Sequence, residues 1–166
     1  SILSVAVALQ KVIEQNIYDK LILVKPVVPA GSSIGFLPGT ENEKLKPFME
    51  SFGDAIENLM TEKNKKKWVD KKREKPVFSV ENFLAQYKDA GIIETKTFAF
   101  MRGRTLSNSM VIIDEAQEMT PHLAKLMLTR AGQNSKFVMI GDPSDNQIDN
   151  ILVDSKSNGL VYVIEK

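Results

Sequence analysis

Three short apolar runs, each ended abruptly by polar or turn residues, constrain the fold of this chain more than any other feature. The runs cover residues 21–24, 110–113 and 136–140, and they are followed by Lys25-Pro26, Asp114-Glu115 and Gly141-Asp142. Runs of this length, apolar at nearly every position, are typical of strands buried on both faces of a parallel sheet. Segments with helical periodicity separate them. The sequence therefore predicts an α/β fold with a mostly parallel sheet flanked by helices.

Periodicity and cap residues place the other elements. Helices are predicted over 4–16, 43–60, 79–90 and from Thr120, a good cap before Pro121, to about Arg130. Prolines and glycines predict a loop over 27–40, and Gly91 ends the third helix. Residues 92–100 are rich in β-formers and are predicted to be a strand that reaches Phe100. Residues 160–164 favour a strand when taken alone.

The amino-acid composition argues against several classes of function. The chain of 166 residues has room for one compact domain, contains no cysteine, and has a single histidine, His122, in the first turn of a predicted helix. Disulfides, thiolate metal sites and cysteine nucleophiles are excluded, and a zinc or serine-histidine enzyme is disfavoured. His122 is expected to be exposed. The net charge of +1 provides no bulk attraction to polyanions, and no apolar run is long enough to span a membrane, so a cytoplasmic protein is expected.

Two adjacent carboxylates, Asp114 and Glu115, follow the second apolar run. In a parallel sheet the ligand lies beyond the carboxyl ends of the strands, where such a pair is costly unless a cation or a substrate uses it. Magnesium phosphate chemistry is the natural use, with Asp114 holding Mg²⁺ and Glu115 polarising the water that attacks a terminal phosphate. The alternative is that both acids only favour the start of the next helix.

Polar residues also follow the third run. Gly141-Asp142-Pro143 and the later Gln147 could place polar groups near a γ-phosphate, as in helicase-type nucleoside triphosphatases. Gly-Asp-Pro is equally a good turn when considered alone. Three arginines are further candidates for phosphate contacts: Arg102 and Arg104 around Gly103, and Arg130 at the end of a helix. They are also compatible with solvated surface positions.

Taken in order along the chain, these segments resemble the PhoH-like family. The resemblance rests on Lys25-Pro26, Gly35-Phe36-Leu37 before Pro38-Gly39, Met101 to Thr105, Asp114-Glu115-Ala116-Gln117, Leu128-Thr129-Arg130 and Gly141-Asp142-Pro143. Members of that family are P-loop ATPases with a fold related to helicases. Some are linked to RNA unwinding or RNA decay, and many phages encode stand-alone copies, for which the host cytoplasm is the expected location.

The resemblance implies a RecA/helicase-like P-loop NTPase core that binds ATP and Mg²⁺, with RNA or single-stranded nucleic acid as a partner and a homo-oligomeric ring, by analogy a hexamer. It implies that Gln117 and Gln147 sense the γ-phosphate, and that Arg102, Arg104 or Arg130 completes a site across a subunit boundary. A helix over 160–164 is also favoured by the resemblance, so the state of that segment stays open.

Two departures from the family pattern modify this expectation. If Ser1 occupies the last position of the family's Gly-x-x-Gly-x-Gly-Lys-Ser/Thr loop, its hydroxyl contributes to the Mg²⁺ site, while the lysine and the strand before the loop lie upstream. The 166 residues would then form one incomplete domain, short at the N-terminus and also at the C-terminus. The family also has a glutamine directly after the Ser/Thr that follows Gly-Asp-Pro, whereas two extra residues precede Gln147 here.

A basic insertion at about 61–76 has two interpretations. Lysines and one arginine surround Trp68, so the segment could follow an RNA backbone while Trp68 stacks on a base, or it could be a solvated surface. The leading hypothesis is an Mg²⁺-dependent ATPase that acts on RNA or with it. The alternatives are a nucleic-acid-binding or ring-assembly module with little catalysis, and a domain that serves only as a subunit contact.

Overall fold

Within the residues described below, the strands form one sheet of four, all parallel. The computed structural model of the chain describes residues 2–26, 80–101 and 103–166, and gives only the backbone of residues 80, 81, 99 and 100. The strands are β1 (Lys20–Val24), β2 (Ile93–Lys96), β3 (Ser109–Ile113) and β4 (Lys136–Met139). Their order in the sheet is β2-β1-β3-β4. The predicted α/β class and the three strands predicted from apolar runs are therefore confirmed.

Helices cover both faces of the sheet. They are α1 (Ile2–Leu9), α2 (Val80–Asp89), α3 (Pro121–Leu128) and α4 (Gly159–Ile164). The helix predicted over 4–16 is α-helical only in its first part and continues as a π-helix over Gln10–Glu14. As predicted, Thr120 caps α3, accepting a hydrogen bond from Leu123 N, and Pro121 follows it. The segment left open at 160–164 is helical, with the Asn158 side chain as its cap.

The strand predicted over 92–100 was too long. Only Ile93–Lys96 is a strand, and Phe98–Met101 forms a 3₁₀ helix. Phe98 and Met101 are both buried in the core beneath α3. Residues three apart lie on one side of a 3₁₀ helix, so this turn buries both side chains, which an extended strand would place on opposite faces.

The apolar core forms two layers, one on each face of the sheet. On one face Leu21, Leu23 and Ile112 pack against α1 and α2. On the other, Ile22 and Ile113 belong to a cluster that includes side chains from α3 and α4. Strands β1 and β3 are buried on both faces, which explains their apolar runs 21–24 and 110–113; the buried Ser109 at the start of β3 donates its hydroxyl to Ser107 O.

The two edges of the sheet that carry the strand ends differ. At the amino edge, Asn16, Asn108 and Asn134 precede β1, β3 and β4 and adopt positive φ angles, so this edge is built from tight turns. In the strand order β2-β1-β3-β4, the strand that follows β1 lies on one side of it, and the strand that follows β3 lies on the opposite side of the central pair. Such a change of direction opens a crevice outside the ends of β1 and β3, the usual ligand site in open α/β sheets.

Several predicted features lie outside the described residues: the loop over 27–40, the helix over 43–60, the basic insertion at about 61–76 and the cap residue Ser79. Within the described part of the chain, β4 pairs only with β3, and three of its residues are half-buried whereas β3 is wholly buried. No helix in those residues combines the length and apolarity needed to cross a bilayer.

Candidate functional site

Asp114 lies at the crevice between the ends of β1 and β3. Its backbone N–H donates to Val24 O at 3.0 Å, and two residues later Ala116 N donates to Ile140 O at 2.8 Å. The chain leaving β3 is therefore held to both neighbouring strands. Asp114 is only 5% exposed. A buried carboxylate at the carboxyl edge is the position that the sequence predicted for a cation ligand.

Glu115 occupies a strained backbone conformation. Its φ of 53° and ψ of 43° are left-handed, a region that costs a residue with a side chain about 1–2 kcal/mol. The half-buried side chain does not cap the 3₁₀ helix Ala116–Glu118 that follows, and its Oε2 instead accepts a hydrogen bond from Gln117 Nε2 at 2.8 Å. Glu115 thus precedes a short helix without a side-chain cap hydrogen bond, and whether its charge favours that helix start stays an open alternative.

The end of β4 lies beside this pair. Asp142 is exposed, and its Oδ1 accepts hydrogen bonds from the hydroxyl and the backbone N–H of Ser144. The Ser144 hydroxyl, and then the Ser144 N–H, hold the pKa of Asp142 below its usual value. The Asp142 side chain thus closes a turn to Ser144, and this turn brings a carboxylate with a lowered pKa to the same edge of the sheet as Asp114.

The two predicted glutamines are in contact but have different surroundings. Gln147 is exposed in the 3₁₀ helix Asp145–Gln147, whereas Gln117 is 1% exposed behind it. Gln117 Nε2 donates to the backbone O of Gln147 at 3.1 Å. The structure therefore brings Asp114, Glu115, Gln117, Asp142 and Gln147 to one edge, although the extra residues before Gln147 shift it along the loop. Sensing of the γ-phosphate by either glutamine stays a prediction.

Sequence reasoning missed two buried polar residues behind the site, Glu118 and Asn150. The Glu118 carboxylate accepts hydrogen bonds from the backbone N–H groups of Asp149 and Asn150, at 2.8 and 2.9 Å. Asn150 Nδ2 donates to Glu118 O at 2.8 Å. No sequence signal could have paired them, because 32 residues separate them and only the fold brings the two loops together.

Arg104 and Arg130 do not join this group. Arg130 follows α3, and its backbone O accepts from Leu106 N at 2.8 Å, beside the parallel bridge between Leu106 and Ala131. Leu106 precedes β3 whereas Asp114 follows it, and a five-residue strand is about 16 Å long. The exposed Arg104 lies two residues before Leu106. Within one chain, these arginines lie towards the opposite edge of the sheet from Asp114.

The Nε of Arg130 is buried and has no hydrogen-bond partner among the described residues. Two other predicted ligands, Ser1 and Arg102, lie outside those residues. Predicted exposure of His122 is confirmed.

The donor set suits Mg²⁺ only in combination with a phosphate ligand. In the part of the chain that the structure describes, no group of three or more acidic or histidine side chains could hold a metal ion. Mg²⁺ is usually held in proteins by one or two carboxylates together with phosphate oxygens and water. The buried Asp114 carboxylate at an open edge fits that arrangement, so the residues present are compatible with a magnesium–nucleotide complex.

Comparison with known proteins gives a consistent result. The family model described as PhoH-like protein matches residues 1–166, the whole chain. Protein PhoH2 of Bacillus subtilis (strain 168) is 39% identical over 166 residues, which are 100% of this chain and 34% of that protein. A PhoH-like protein of Synechocystis sp. is 36% identical over 135 residues, 81% of this chain and 35% of that protein.

A more distant relative covers the chain equally well. Protein PhoH2 of Thermobispora bispora is 29% identical over 167 residues, which are 100% of this chain and 33% of that protein. The chain thus spans about a third of the length of these curated relatives.

Proposed function

The chain belongs to the PhoH-like protein family, and on that premise we propose that it forms part of the site of an Mg²⁺-dependent ATPase. The observation that carries the proposal is the Asp114-Glu115 pair at the end of the buried strand β3, beside the Gly141-Asp142 turn at the end of β4. This arrangement agrees with an α/β core of the P-loop NTPase kind.

Asp114 and Glu115 have separate roles in this proposal. Asp114 holds Mg²⁺, which when bound neutralises charge on the phosphate oxygens. Glu115 accepts a hydrogen bond from the attacking water and takes its proton as the water oxygen bonds to the γ-phosphorus. The bond from that phosphorus to the bridging oxygen of ADP breaks, and the proton passes from Glu115 to solvent after phosphate leaves.

The groups around β4 respond to the γ-phosphate. Gln147 is exposed on its loop and can approach the nucleotide, and Gln117 lies behind it with a hydrogen bond to its backbone O. Asp142 adds a carboxylate with a lowered pKa at the same edge of the sheet, which favours a bound cation over a bare anion. Ser1 is proposed as a further Mg²⁺ ligand through its hydroxyl.

The arginines are proposed to act between copies. Since Arg104 and Arg130 lie towards the amino edge, neither is placed to reach Asp114 of its own chain. In a ring of identical subunits, by analogy a hexamer, either one, or Arg102, could face the nucleotide of a neighbouring subunit.

RNA or single-stranded nucleic acid is the proposed macromolecular partner, and the cytoplasm the proposed location. The support is the cluster of lysines around Trp68 in the sequence, a composition suited to phosphate contacts and base stacking. The net charge of the chain is only +1, so any such binding depends on this local cluster and falls steeply as salt concentration rises.

The test is ATP turnover by the full natural protein and its Glu115→Gln variant, measured as phosphate release with saturating Mg²⁺ and ATP. Loss of a general base is expected to lower kcat by about 100- to 10,000-fold. Glu165→Gln is the matched control, because Glu165 is an exposed glutamate at the end of α4. Equal turnover by wild type and Glu115→Gln refutes the role of Glu115.

A second arm of the experiment addresses the partner. Turnover is measured with and without single-stranded RNA at several salt concentrations. Stimulation that weakens with salt supports an RNA-linked ATPase. RNA binding by a wild-type protein that lacks ATP turnover would instead favour a nucleic-acid-binding module without catalysis.

A further inference from the structure

The Gln117 side chain makes three hydrogen bonds within the site. Its Nε2 donates to Glu115 Oε2 at 2.8 Å and to Gln147 O at 3.1 Å, and its Oε1 accepts from Asp142 N at 3.2 Å. The orientation of the amide is fixed, because both partners of Nε2 are oxygens and the partner of Oε1 is an N–H. One side chain therefore connects the residue after Asp114 with both loops that follow β4.

These bonds leave Gln117 little capacity to contact a nucleotide directly. Both of its N–H donors are used within the protein, and the residue is only 1% exposed. A group that reads a phosphate needs an N–H aimed at solvent or at the ligand. The hydrogen bonds of Gln117 are instead suited to holding Glu115, Asp142 and Gln147 in place.

Gly141 provides the space that this arrangement needs. A Cβ added at Gly141 would overlap Gln117 Oε1 and would lie 3.0 Å from Gln117 N. The φ angle of Gly141 is not in the left-handed region, so the glycine is required here by close approach and not by backbone conformation. The end of β4 and the Gln117 amide are thus fitted to each other.

The buried Glu118 anchors the other side of the loop. Its carboxylate accepts the N–H groups of Asp149 and Asn150, and Asn150 Oδ1 accepts from Leu152 N at 3.0 Å. These contacts fix the chain immediately after Gln147. The Gln147 carbonyl is consequently held where Gln117 can bond to it, even though two extra residues lengthen the loop before it.

We propose that Gln117 is a positioning residue that ties the Glu115 carboxylate to the Asp142 turn and the Gln147 loop, so that the base and the γ-phosphate loop move as one unit. The inference rests on the proposed function, in which Glu115 activates water. Glu115 adopts a left-handed backbone, which sets the direction in which its side chain leaves the chain. The hydrogen bond from the Gln117 amide then holds the carboxylate at the end of that side chain. Displacement of the Gln147 loop by a nucleotide would then reorient Glu115.

The experiment compares Gln117→Met with Glu115→Gln in the full natural protein. Methionine keeps the length of the side chain and removes all three hydrogen bonds. We expect kcat to fall about 10- to 100-fold, the usual cost of losing a group that orients a site residue, while KM for ATP changes little. Gln133→Met is the matched control, because Gln133 is exposed at the amino edge of the sheet.

A double-mutant cycle tests whether Gly141 acts through Gln117. Gly141→Ala should reduce kcat in the wild-type background, where its Cβ displaces the Gln117 amide, and should cost much less in the Gln117→Ala background. Equal costs in both backgrounds overturn this coupling. Unchanged kcat in Gln117→Met, or a loss confined to KM, overturns the positioning role.

Hydrogen exchange separates this inference from the proposed function. The Asp142 amide, which donates to Gln117, should exchange faster in Gln117→Met, while the Asp149 and Asn150 amides held by Glu118 serve as internal references. Unchanged protection of Asp142 overturns the inference whatever the activity. If Glu115→Gln retains full turnover while Asp142 loses protection, the proposed role of Glu115 fails and the contact itself stands.

Discussion

The left-handed backbone of Glu115 allows a quantitative prediction about stability. A glycine adopts φ 53°, ψ 43° without strain, whereas alanine retains the penalty of about 1–2 kcal/mol. Glycine loses about 0.4–1 kcal/mol more through the entropy of the unfolded chain. Both substitutions remove the bond to Gln117 equally. Glu115→Gly should therefore be about 1 kcal/mol more stable than Glu115→Ala, or about 2–4 °C in Tm for a chain of this size.

The assay is thermal and urea unfolding of both variants, with Thr129 as the reference position. Thr129 is exposed with right-handed angles, φ −70° and ψ −6°, so alanine should be the more stable of its two variants. If Glu115→Gly is no more stable than Glu115→Ala, the backbone of Glu115 is not strained and the reasoning is wrong. Neither variant retains the carboxylate, so both should lose ATP turnover as Glu115→Gln does.

Two further predictions concern stability away from the site. Burial alone would raise the pKa of Glu94, but hydrogen bonds from Lys20 and Lys96 lower it below 4.5. The stability that these two bonds contribute is therefore present at pH 7 and is lost as the pH falls below about 4.5. The Tm advantage of wild type over a Lys20→Met/Lys96→Met variant should shrink in acid, and a constant advantage from pH 7 to pH 3 would contradict it. Gly159→Ala places a Cβ 2.8 Å from Met119 Cβ and should lower the free energy of unfolding by about 1–3 kcal/mol, measured in urea. A loss below about 0.5 kcal/mol would show that α4 shifts to make room and would contradict the prediction.

The elements that sequence predicted well are those in which local pattern and tertiary burial agree. The apolar runs became β1, β3 and β4 because a strand covered on both faces needs apolar residues throughout. Thr120 and Pro121 marked the start of α3 because cap chemistry is local. Residues 98–100 were assigned to a strand wrongly, since burial of Phe98 and Met101 on one side of a 3₁₀ helix outweighed the local β propensity.

The position of the site was predictable and its internal connections were not. Parallel strands place their carboxyl ends at one edge, so Asp114, Glu115 and Asp142 were expected together from their places in the runs. Gln117 bonds to Glu115 and to groups on two segments after β4, contacts that the sequence did not predict. Its partners are up to 30 residues away in sequence, and no local pattern encodes such a pairing.

The fold class and the acidic edge follow from the amino-acid sequence, because local apolar runs and the residues that end them specify strand burial and the direction of parallel strands. Which polar groups support one another depends on how the folded chain brings distant segments together. Gly141 leaves room for the Gln117 amide, Glu118 holds the loop after Gln147, and Arg130 lies towards the far edge of the sheet. A hydrogen bond between distant loops requires its donor and acceptor to be placed to within a few tenths of an ångström, and the loops reach that placement only once the sheet has brought them together.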